Sequence, residues 1–600
     1  MEEDVTFSDP PYTVAVSDLA YLPYNYLPAA LPAIAGDSSA QSRIVMTFPQ
    51  PVPDRDLVDT AMVYTAIDVD ILAKPDATAA FLQGVQDVIG AGFIPQPWFL
   101  GPLTELRHDT NLPLLTLDRT PFELVNQSAF DAAVVVVDAG IAFWNRRFID
   151  STGPRFRAIR FLDFDTPAAG PSGATLDFDA ITALCKRADA GGDADRQIVR
   201  ELRGKFPGSF YGSTAADDLD GLWHGTAMAD LAAGHPGDPD KRIALFGLEL
   251  STKMVQDYGG DSLTASLLAV LDAALAMTSG LPDKPVTILL PYAFSAGPQD
   301  GTHPAAQIIQ NFLAFHGRPS LNIVVSAGNH LQNRLRAQLP GTPLNGAPLK
   351  LDWWEAPDDF SINTVEALIQ NVLPMNGRAS LDIKAPTNEA ESSSGLKEGQ
   401  SRDIRRLGAV IGSIQRFRNI GNTARLRLSL MPSGQYGTKV ATPHGRWVLS
   451  TPSTQPADLW ILRDDRDPAF DQEYPHRQSQ FDHPMYRPAN KLGEPGLNDD
   501  PGSPVMRSGT LSPLGTAPGV AAVQADEKLG NAAQRQAAYS SKPDGPAVLN
   551  LHYLVDDGWA EYGVPASANG SEQRVRVSGT SSAAALHARN IIGFGGPPTS

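Results

Sequence analysis

The chain has 600 residues, of which 42% are hydrophobic and 19% are charged. This composition is typical of a globular protein and excludes the disordered and fibrous classes. The length predicts roughly three or four domains. The net charge of −19 argues against nucleic acid or an anionic membrane surface as a partner.

A single cysteine, Cys185, allows no intrachain disulfide and no cysteine-based metal site, so we expect a small buried hydrophobic residue there. The start of the chain, Met1–Asp4, is acidic and is not followed by the apolar segment of a secretory signal. No apolar run reaches membrane-spanning length. We therefore expect a cytoplasmic protein without a membrane partner, with secretion as an alternative, and the sequence indicates no cofactor and no metal.

Residues 1–127 form an N-terminal region that is rich in proline and tyrosine. Within it, Arg43–Phe48 has the composition of a strand, and Ala79–Ile89 has helical spacing. We expect an extension that packs on the remainder of the protein, and the alternative is a removable prosegment.

Ala132–Val137 is a continuous apolar, β-branched run, which predicts a strand buried on both faces of a parallel sheet. It ends in Asp138. Functional groups in open α/β sheets collect at the carboxyl ends of strands, so Asp138 is a candidate site residue. The alternative is a carboxylate that only caps a turn.

His224 begins a small-residue helix that is predicted to end at Gly234, with the imidazole at the helix entrance. The alternative is a surface or capping histidine. The acidic run 217–220 upstream matches no defined calcium loop, so we interpret it as a solvated turn.

Strands and helices then alternate, which predicts a doubly wound, mainly parallel α/β sheet. Asn329 ends the last of these strands and presents an amide donor at the carboxyl edge, although a turn asparagine is the alternative. The predicted elements are a strand over Arg242–Gly247, a helix over Ser262–Thr278, a strand over Pro285–Leu290, a helix over His303–His316 and a strand over Leu321–Asn329.

From Leu349 onward the pattern changes to short strand-like runs separated by turn residues, which predicts an all-β sandwich or jelly roll. Asp403–Ile411 is the one segment there with a helical pattern. A connector rich in proline and aspartate, Asp464–Pro504, follows, and Gly519–Val523 is predicted to return to the first sheet.

Near the C-terminus, Ser578–Ala585 is a small-residue turn that enters an alanine-rich helix. It places the hydroxyl of Ser581 at a helix N-terminus, where free N–H groups and the helix dipole favour negative charge. A serine at this position is also a common helix cap. With an aspartate to orient an imidazole and the imidazole to accept a proton, such a hydroxyl is a nucleophile for acyl transfer.

Four motifs in this order resemble those of the subtilisin family (subtilases) of serine peptidases. The resemblance covers Val134–Asn345 and Ser508–Phe594. It departs from the family at Ala139, which replaces a hydroxyl residue, and at Ser582 and Ala585, which replace methionine and proline. The motifs are Asp138-Ala139-Gly140, His224-Gly225-Thr226, Ser326-Ala327-Gly328-Asn329 and Gly579-Thr580-Ser581.

The resemblance implies a catalytic domain over 128–345 and 508–600, interrupted by an inserted β-rich domain with its connector over 346–507. It implies Asp138, His224 and Ser581 as the catalytic triad and Asn329 as an oxyanion donor. It also implies a substrate-binding edge that includes part of the S1 wall. That edge would contain Tyr292, Ala293, Phe294 and Ser295.

The activity that the resemblance implies is that of a serine endopeptidase acting on extended polypeptide. One alternative is a catalytically silent scaffold that binds proteins or glycans through its β-rich domain. Another is a transpeptidase or macrocyclase with the same triad. We expect a polypeptide substrate as partner, with a further protein partner at the inserted domain as an additional possibility.

Overall fold

The structure is a computed structural model, and the part of the chain that it describes is discontinuous. The predicted helix Ala79–Ile89 and the acidic run 217–220 lie outside this part. The described residues are 6–7, 12–13, 41–51, 58–68, 96–103, 122, 127–151, 153–162, 175–191, 193–213, 216, 223–234, 242–251, 254–255, 259–316, 319–340, 349–372, 377–387, 394–397, 400–416, 422–434, 440–452, 454–463, 476–528, 533–544, 551–558, 562–570 and 573–594.

Most of the regular elements in these residues are strands. In chain order, the strands are β1 (Thr6–Phe7), β2 (Tyr12–Thr13), β3 (Gln41–Pro51), β4 (Val58–Asp68), β5 (Gln96–Leu103), β6 (Ala132–Asp138), β7 (Ile149–Asp150), β8 (Gly153–Pro154), β9 (Phe156–Phe161), β10 (Thr175–Leu176), β11 (Ile243–Glu249), β12 (Val286–Leu290), β13 (Leu321–Ser326), β14 (Arg336–Leu339), β15 (Leu351–Glu355), β16 (Asn363–Ile369), β17 (Asp382–Lys384), β18 (Gln400–Arg406), β19 (Ala409–Arg416), β20 (Ala424–Leu430), β21 (Gly445–Ser450), β22 (Ala457–Ile461), β23 (Gln480–Asp482), β24 (Val505–Met506), β25 (Val520–Lys528), β26 (Arg535–Gln536), β27 (His552–Asp557), β28 (Val564–Ser567) and β29 (Arg574–Val577). The α-helices span Phe178–Ala188, Ala194–Lys205, His224–Ala233, Asp261–Met277, Pro304–His316 and Thr580–Ile591.

The α/β unit comprises residues 115–294, 299–331 and 511–600. Its main sheet has the strand order β10-β9-β11-β6-β12-β13-β25-β26, with β27 also paired to β25. All neighbours from β9 to β25, and the pair β25–β27, are parallel, whereas β10 and β26 are antiparallel. The predicted mainly parallel α/β sheet is confirmed.

Strand β6 lies in the middle of this sheet, and all of its residues are buried. The chain first builds β9 and β11 on one side of β6 and then β12, β13 and β25 on the other side. Open α/β sheets bind ligands where the strand order changes direction in this way, at the carboxyl ends of the flanking strands, which here are β6 and β12. The candidate residue Asp138 ends β6 at this edge.

Two helices pack against each other beside the sheet: the His224 helix (His224–Ala233) and the Ser581 helix (Thr580–Ile591). Every residue from Gly225 to Ala233 is buried, because the small side chains allow close approach of neighbouring backbone. The predicted end of the first helix at Gly234 is confirmed. None of the helices in the described ranges has the length and hydropathy needed to cross a bilayer.

The β-rich unit comprises residues 1–114, 295–298 and 332–510. One antiparallel sheet has the order β1-β18-β19-β20-β16-β22-β14-β24, with β2 beside β18, and a second has the order β17-β21-β15-β23. Trp353 and Trp447 from the second sheet share one core with Val365 and Leu428 from the first. The two sheets therefore pack as a sandwich, and β4, β3 and β5 form a separate antiparallel sheet.

The expectation of a helix at Asp403–Ile411 is wrong. This segment lies in the antiparallel hairpin β18–β19, where Arg406 pairs with Ala409. The two loop residues, Leu407 and Gly408, have φ values of 53° and 78°. Two consecutive left-handed residues form the type of tight turn that matches strand twist, and the turn therefore overrides the helical pattern.

Candidate active site

Asp138 and His224 form a hydrogen-bonded pair at the carboxyl edge of the parallel sheet. The imidazole Nδ1–H donates to Asp138 Oδ2 over 2.7 Å. The other carboxylate oxygen, Oδ1, accepts the backbone N–H of Ala139 at 2.8 Å. Because both carboxylate oxygens are engaged, the aspartate holds the imidazole in the tautomer whose Nε2 can accept a proton.

The environment of His224 adjusts the pKa of its imidazole in two opposing ways. Partial desolvation of the ring lowers the pKa, but the charge of Asp138 and its hydrogen bond raise it, and the net pKa is raised. The side chain of His224 is 46% exposed whereas that of Asp138 is 8% exposed. Solvent therefore reaches the base, while the carboxylate behind it is shielded.

The turn after Asp138 is held from two sides. On one side the two side-chain oxygens of Glu249 accept Gly140 N–H at 2.7 Å and Ile141 N–H at 3.4 Å. On the other side Thr226, in the first turn of the His224 helix, donates its N–H to Gly140 O at 3.0 Å. The turn thus ties the strand that carries the aspartate to the helix that carries the imidazole.

Glu249 is a site residue that the sequence-based reasoning missed. It ends β11, lies directly opposite Asp138 in the parallel register and is fully buried. The pKa of Glu249 is raised to about 8, because burial and the charge of Asp138 raise it by more than the hydrogen bonds from Gly140 and Ile141 lower it. The criterion that selected Asp138, an acid at a strand end, also applies to Glu249, but the predicted strand stopped at Gly247.

We expect Glu249→Gln to weaken the pH dependence of stability. The pKa is raised from 4.5 to about 8 on folding, so the folded state holds a proton in this window that the unfolded state has lost. Stability therefore falls with rising pH by roughly 1.4 kcal/mol per pH unit through this group. Urea unfolding of the wild type and the variant between pH 5 and pH 8 measures how the free energy of unfolding changes with pH. Equal slopes in the two proteins would contradict the raised pKa of Glu249.

Ser581 lies in the first turn of its helix with a half-buried side chain. Its hydroxyl donates to Pro291 O at 2.8 Å, directly after β12, and accepts from Ser326 Oγ at 3.4 Å, at the end of β13. Among the described residues, its backbone N–H has no hydrogen-bond acceptor. The serine thus brings a hydroxyl and a free N–H to the edge that carries Asp138.

Asn329 follows β13 and is exposed. Its side-chain Oδ1 accepts both the N–H of Thr580 at 3.1 Å and the hydroxyl of Thr580 at 2.9 Å. These donors assign the oxygen, so the NH2 group lies on the other branch of the amide. In the described part of the chain that NH2 donates to no protein acceptor, which leaves it available to a ligand.

Gly579 allows this approach of the asparagine to the Ser581 helix. Its φ is 98°, and a Cβ atom at this position would lie 3.3 Å from Asn329 Nδ2. A side chain at residue 579 would therefore be strained and would crowd the amide.

His224 and Ser581 reach the same edge but are not hydrogen-bonded to each other within the described ranges. The hydroxyl of Ser581 is directed at Pro291 O, and the ring of His224 is bonded to Asp138. Their bonding partners, Asp138 and Pro291, lie at the ends of the adjacent strands β6 and β12, and the two helices that carry His224 and Ser581 are in contact. Rotation about the Cα–Cβ bond of Ser581 releases the hydroxyl from Pro291.

The four residues expected at a substrate edge differ in their surroundings. Tyr292 and Ala293 are half-buried, and the Tyr292 hydroxyl donates to Met254 O at 3.3 Å. The side chain of Phe294 is fully buried, with its ring centroid 5.3 Å from that of His303. The Ser295 carbonyl, which belongs to the β-rich unit, accepts Arg463 N–H at 2.9 Å.

Neither Cys185 nor a metal-binding group adds a candidate site in the described ranges. Cys185 is 3% exposed, and burial raises the pKa of its thiol to about 12, which confirms the expected small buried residue. No three of the described histidine, cysteine, aspartate and glutamate side chains lie together as metal ligands.

Comparisons with known proteins give a likeness in fold. No protein-family model matches the sequence, and no curated protein sequence matches it. The fold is similar to that of the Clostridium perfringens CspB protease. The alignment has a TM-score of 0.51 and 15% sequence identity, and it covers 78% of this chain and 82% of that chain. At this identity the likeness concerns the fold alone.

Proposed function

We propose that the protein is a serine endopeptidase that cleaves extended polypeptides with Asp138, His224 and Ser581. The observation that carries the proposal is the 2.7 Å bond from the imidazole to Asp138 at the sheet edge that Ser581 also reaches. The four motifs in subtilase order support it, as does the fold likeness to a chain described as a protease.

The proposed reaction begins when Ser581 rotates from Pro291 O toward His224. The imidazole Nε2 accepts the hydroxyl proton while Oγ attacks the carbonyl carbon of the peptide bond. Asp138 stabilises the imidazolium, which then donates the proton to the departing amine. Water hydrolyses the resulting ester by the same proton transfers in reverse order.

Two donors are proposed to stabilise the negative oxygen of the tetrahedral intermediate. These are the NH2 group of Asn329 and the backbone N–H of Ser581, which have no acceptor among the described residues. Because they are already oriented before the substrate binds, no reorganisation is needed during the reaction. A single side-chain donor of this kind contributes about 3 kcal/mol in subtilisin.

We further propose a catalytic domain over 128–345 and 508–600 with residues 346–507 as an inserted domain. The inserted domain would supply a surface for a protein partner, and residues 1–127 a packed extension. Substrate would lie along Tyr292 and Ala293, whose side chains are half-buried, and along the backbone of Phe294 and Ser295. The amide of Phe294 is bonded to Ser512 Oγ at 3.4 Å, so substrate must displace this bond or use other groups.

The test is covalent labelling with a fluorophosphonate, followed by mapping of the adduct by mass spectrometry. We expect one adduct, on Ser581, and none after heat denaturation. The labelling rate should fall as pH decreases through the raised pKa of His224, because the imidazolium cannot accept the serine proton. Folded protein that gives no adduct, or an adduct on another serine, contradicts the proposal. Incubation with peptides then distinguishes hydrolysis from ligation.

A further inference from the structure

The hydroxyl of Tyr539 lies between a buried carboxylate and the turn that precedes Ser581. It donates to Asp556 Oδ2 at 2.6 Å and accepts the backbone N–H of Gly579 at 2.8 Å. Gly579 and Asp556 are buried, whereas the Tyr539 side chain is half-buried. The phenol therefore satisfies a donor and an acceptor that solvent does not reach.

The segment that carries this tyrosine, residues 539–541, also holds the loop of Asn329. Tyr539 O accepts Leu331 N–H at 3.1 Å, and Ser541 N–H donates to Gly328 O at 2.8 Å. The Ser541 hydroxyl oxygen accepts His330 N–H at 3.0 Å. Segment 539–541 is thus bonded to the asparagine loop on both sides of Asn329.

The Gly579 turn and the Asn329 loop, which segment 539–541 holds, are also hydrogen-bonded to each other. Gly328 N–H donates to Thr580 Oγ1 at 3.1 Å, and Thr580 N–H donates to Asn329 Oδ1 at 3.1 Å. A shift of the Gly579 turn would therefore change the position of the Ser581 N–H relative to the Asn329 amide.

We infer that Tyr539 is a positioning residue whose hydroxyl holds the Gly579 turn, and with it the N–H of Ser581, in register with the Asn329 amide. The inference rests on the proposed function, in which these two groups bind the oxyanion. Phenylalanine has no acceptor for Gly579 N–H, and the carboxylate of Asp556 loses a donor, while the ring remains to fill the same space. The substitution Tyr539→Phe should therefore displace the two oxyanion donors and leave the packing of the core unchanged.

The chain offers a matched control in Tyr553. Its hydroxyl shares a hydrogen bond with His587 Nδ1 at 3.0 Å and accepts from Asn590 Nδ2 at 3.1 Å. Both partners lie on the Ser581 helix, but in its second half. Tyr539→Phe and Tyr553→Phe each remove a half-buried phenol hydroxyl. The hydroxyl of Tyr539 bonds to the turn just before Ser581, whereas that of Tyr553 bonds to the far half of the same helix.

The experiment measures kcat and KM for a peptide substrate, the fluorophosphonate labelling rate, and amide hydrogen exchange of the peptide containing 577–583. For Tyr539→Phe we expect kcat and the labelling rate to fall about 10-fold, the effect of one hydrogen bond lost in the transition state, with KM within about two-fold. Exchange in the 577–583 peptide should be faster. For Tyr553→Phe we expect wild-type kinetics and wild-type exchange in that peptide.

The measurements distinguish failure of the inference about Tyr539 from failure of the proposed function. Wild-type exchange in Tyr539→Phe overturns the inference even if no peptidase activity is found, because exchange does not depend on activity. Equal rate losses in the two variants also overturn it, since they indicate a general effect on the helix. A wild-type protein that is not labelled contradicts the proposed function, and faster exchange confined to Tyr539→Phe then still supports the structural part.

Discussion

Replacing Ser581 with alanine is expected to lower kcat for peptide hydrolysis by about a million-fold, the scale seen when the nucleophile of a serine peptidase is removed. Ser581 combines the N-terminal turn of a helix, a backbone N–H without an acceptor among the described residues, and the sheet edge that also carries Asp138. The substitution removes two hydrogen bonds, one to Pro291 O and a longer one from Ser326 Oγ, and alanine favours the helix. Thermal unfolding should therefore remain close to that of the wild type.

Ser582 provides the matched control for this experiment. Its hydroxyl donates to Ser578 O at 3.0 Å, within its own turn, and its side chain is buried. Ser582→Ala should keep kcat within a few-fold of the wild-type value. Full peptidase activity in purified Ser581→Ala, or equal losses in the two variants, would count against Ser581 as nucleophile.

The sheet and the positions of the candidate residues could be predicted because their signals are local. The apolar run of β6 has one arrangement that buries both faces, and its last residue necessarily lies at the carboxyl edge. The alanine-rich stretch after Gly579 likewise forms a helix whose first turn contains Ser581. Neither conclusion needs a partner that is distant in sequence.

The contacts around these residues could not be predicted, because they join segments that are distant in the chain. The Ser581 hydroxyl bonds to a carbonyl 290 residues away, and Glu249 accepts an amide 109 residues away. The burial of Phe294 depends on Gly260, whose missing side chain leaves room for the phenyl ring. Such contacts follow from the packing of the whole unit and leave no periodic pattern in the sequence.

Asp138→Asn should lower kcat by about ten-thousand-fold while the fold is retained. The carboxylate accepts the imidazole Nδ1–H at 2.7 Å, and an amide NH2 at that position favours the tautomer with the proton on Nε2. Such an imidazole cannot accept the serine proton. The neutral amide also lacks the charge that stabilises the imidazolium. Kinetics with a peptide substrate, together with unfolding curves, separate this loss from a loss of folded protein.

The pH profile of the residual activity provides a second measurement on the same variant. Asp138 raises the pKa of His224, so wild-type activity is lost as pH falls through that raised value. Without the carboxylate the pKa falls, and the acid limb of the profile should move to lower pH.

Asp526→Asn is the control for both effects, because it removes a carboxylate from another aspartate–histidine pair in the same sheet. Asp526 Oδ1 and His552 Nδ1 lie 2.9 Å apart on strands β25 and β27. If proximity of a carboxylate to any histidine were sufficient, both variants would change the kinetics. We expect only Asp138→Asn to do so, because His552 is the first residue of β27, whereas His224 is bonded to the aspartate at the carboxyl end of β6. An unchanged acid limb in Asp138→Asn would exclude His224 as the general base.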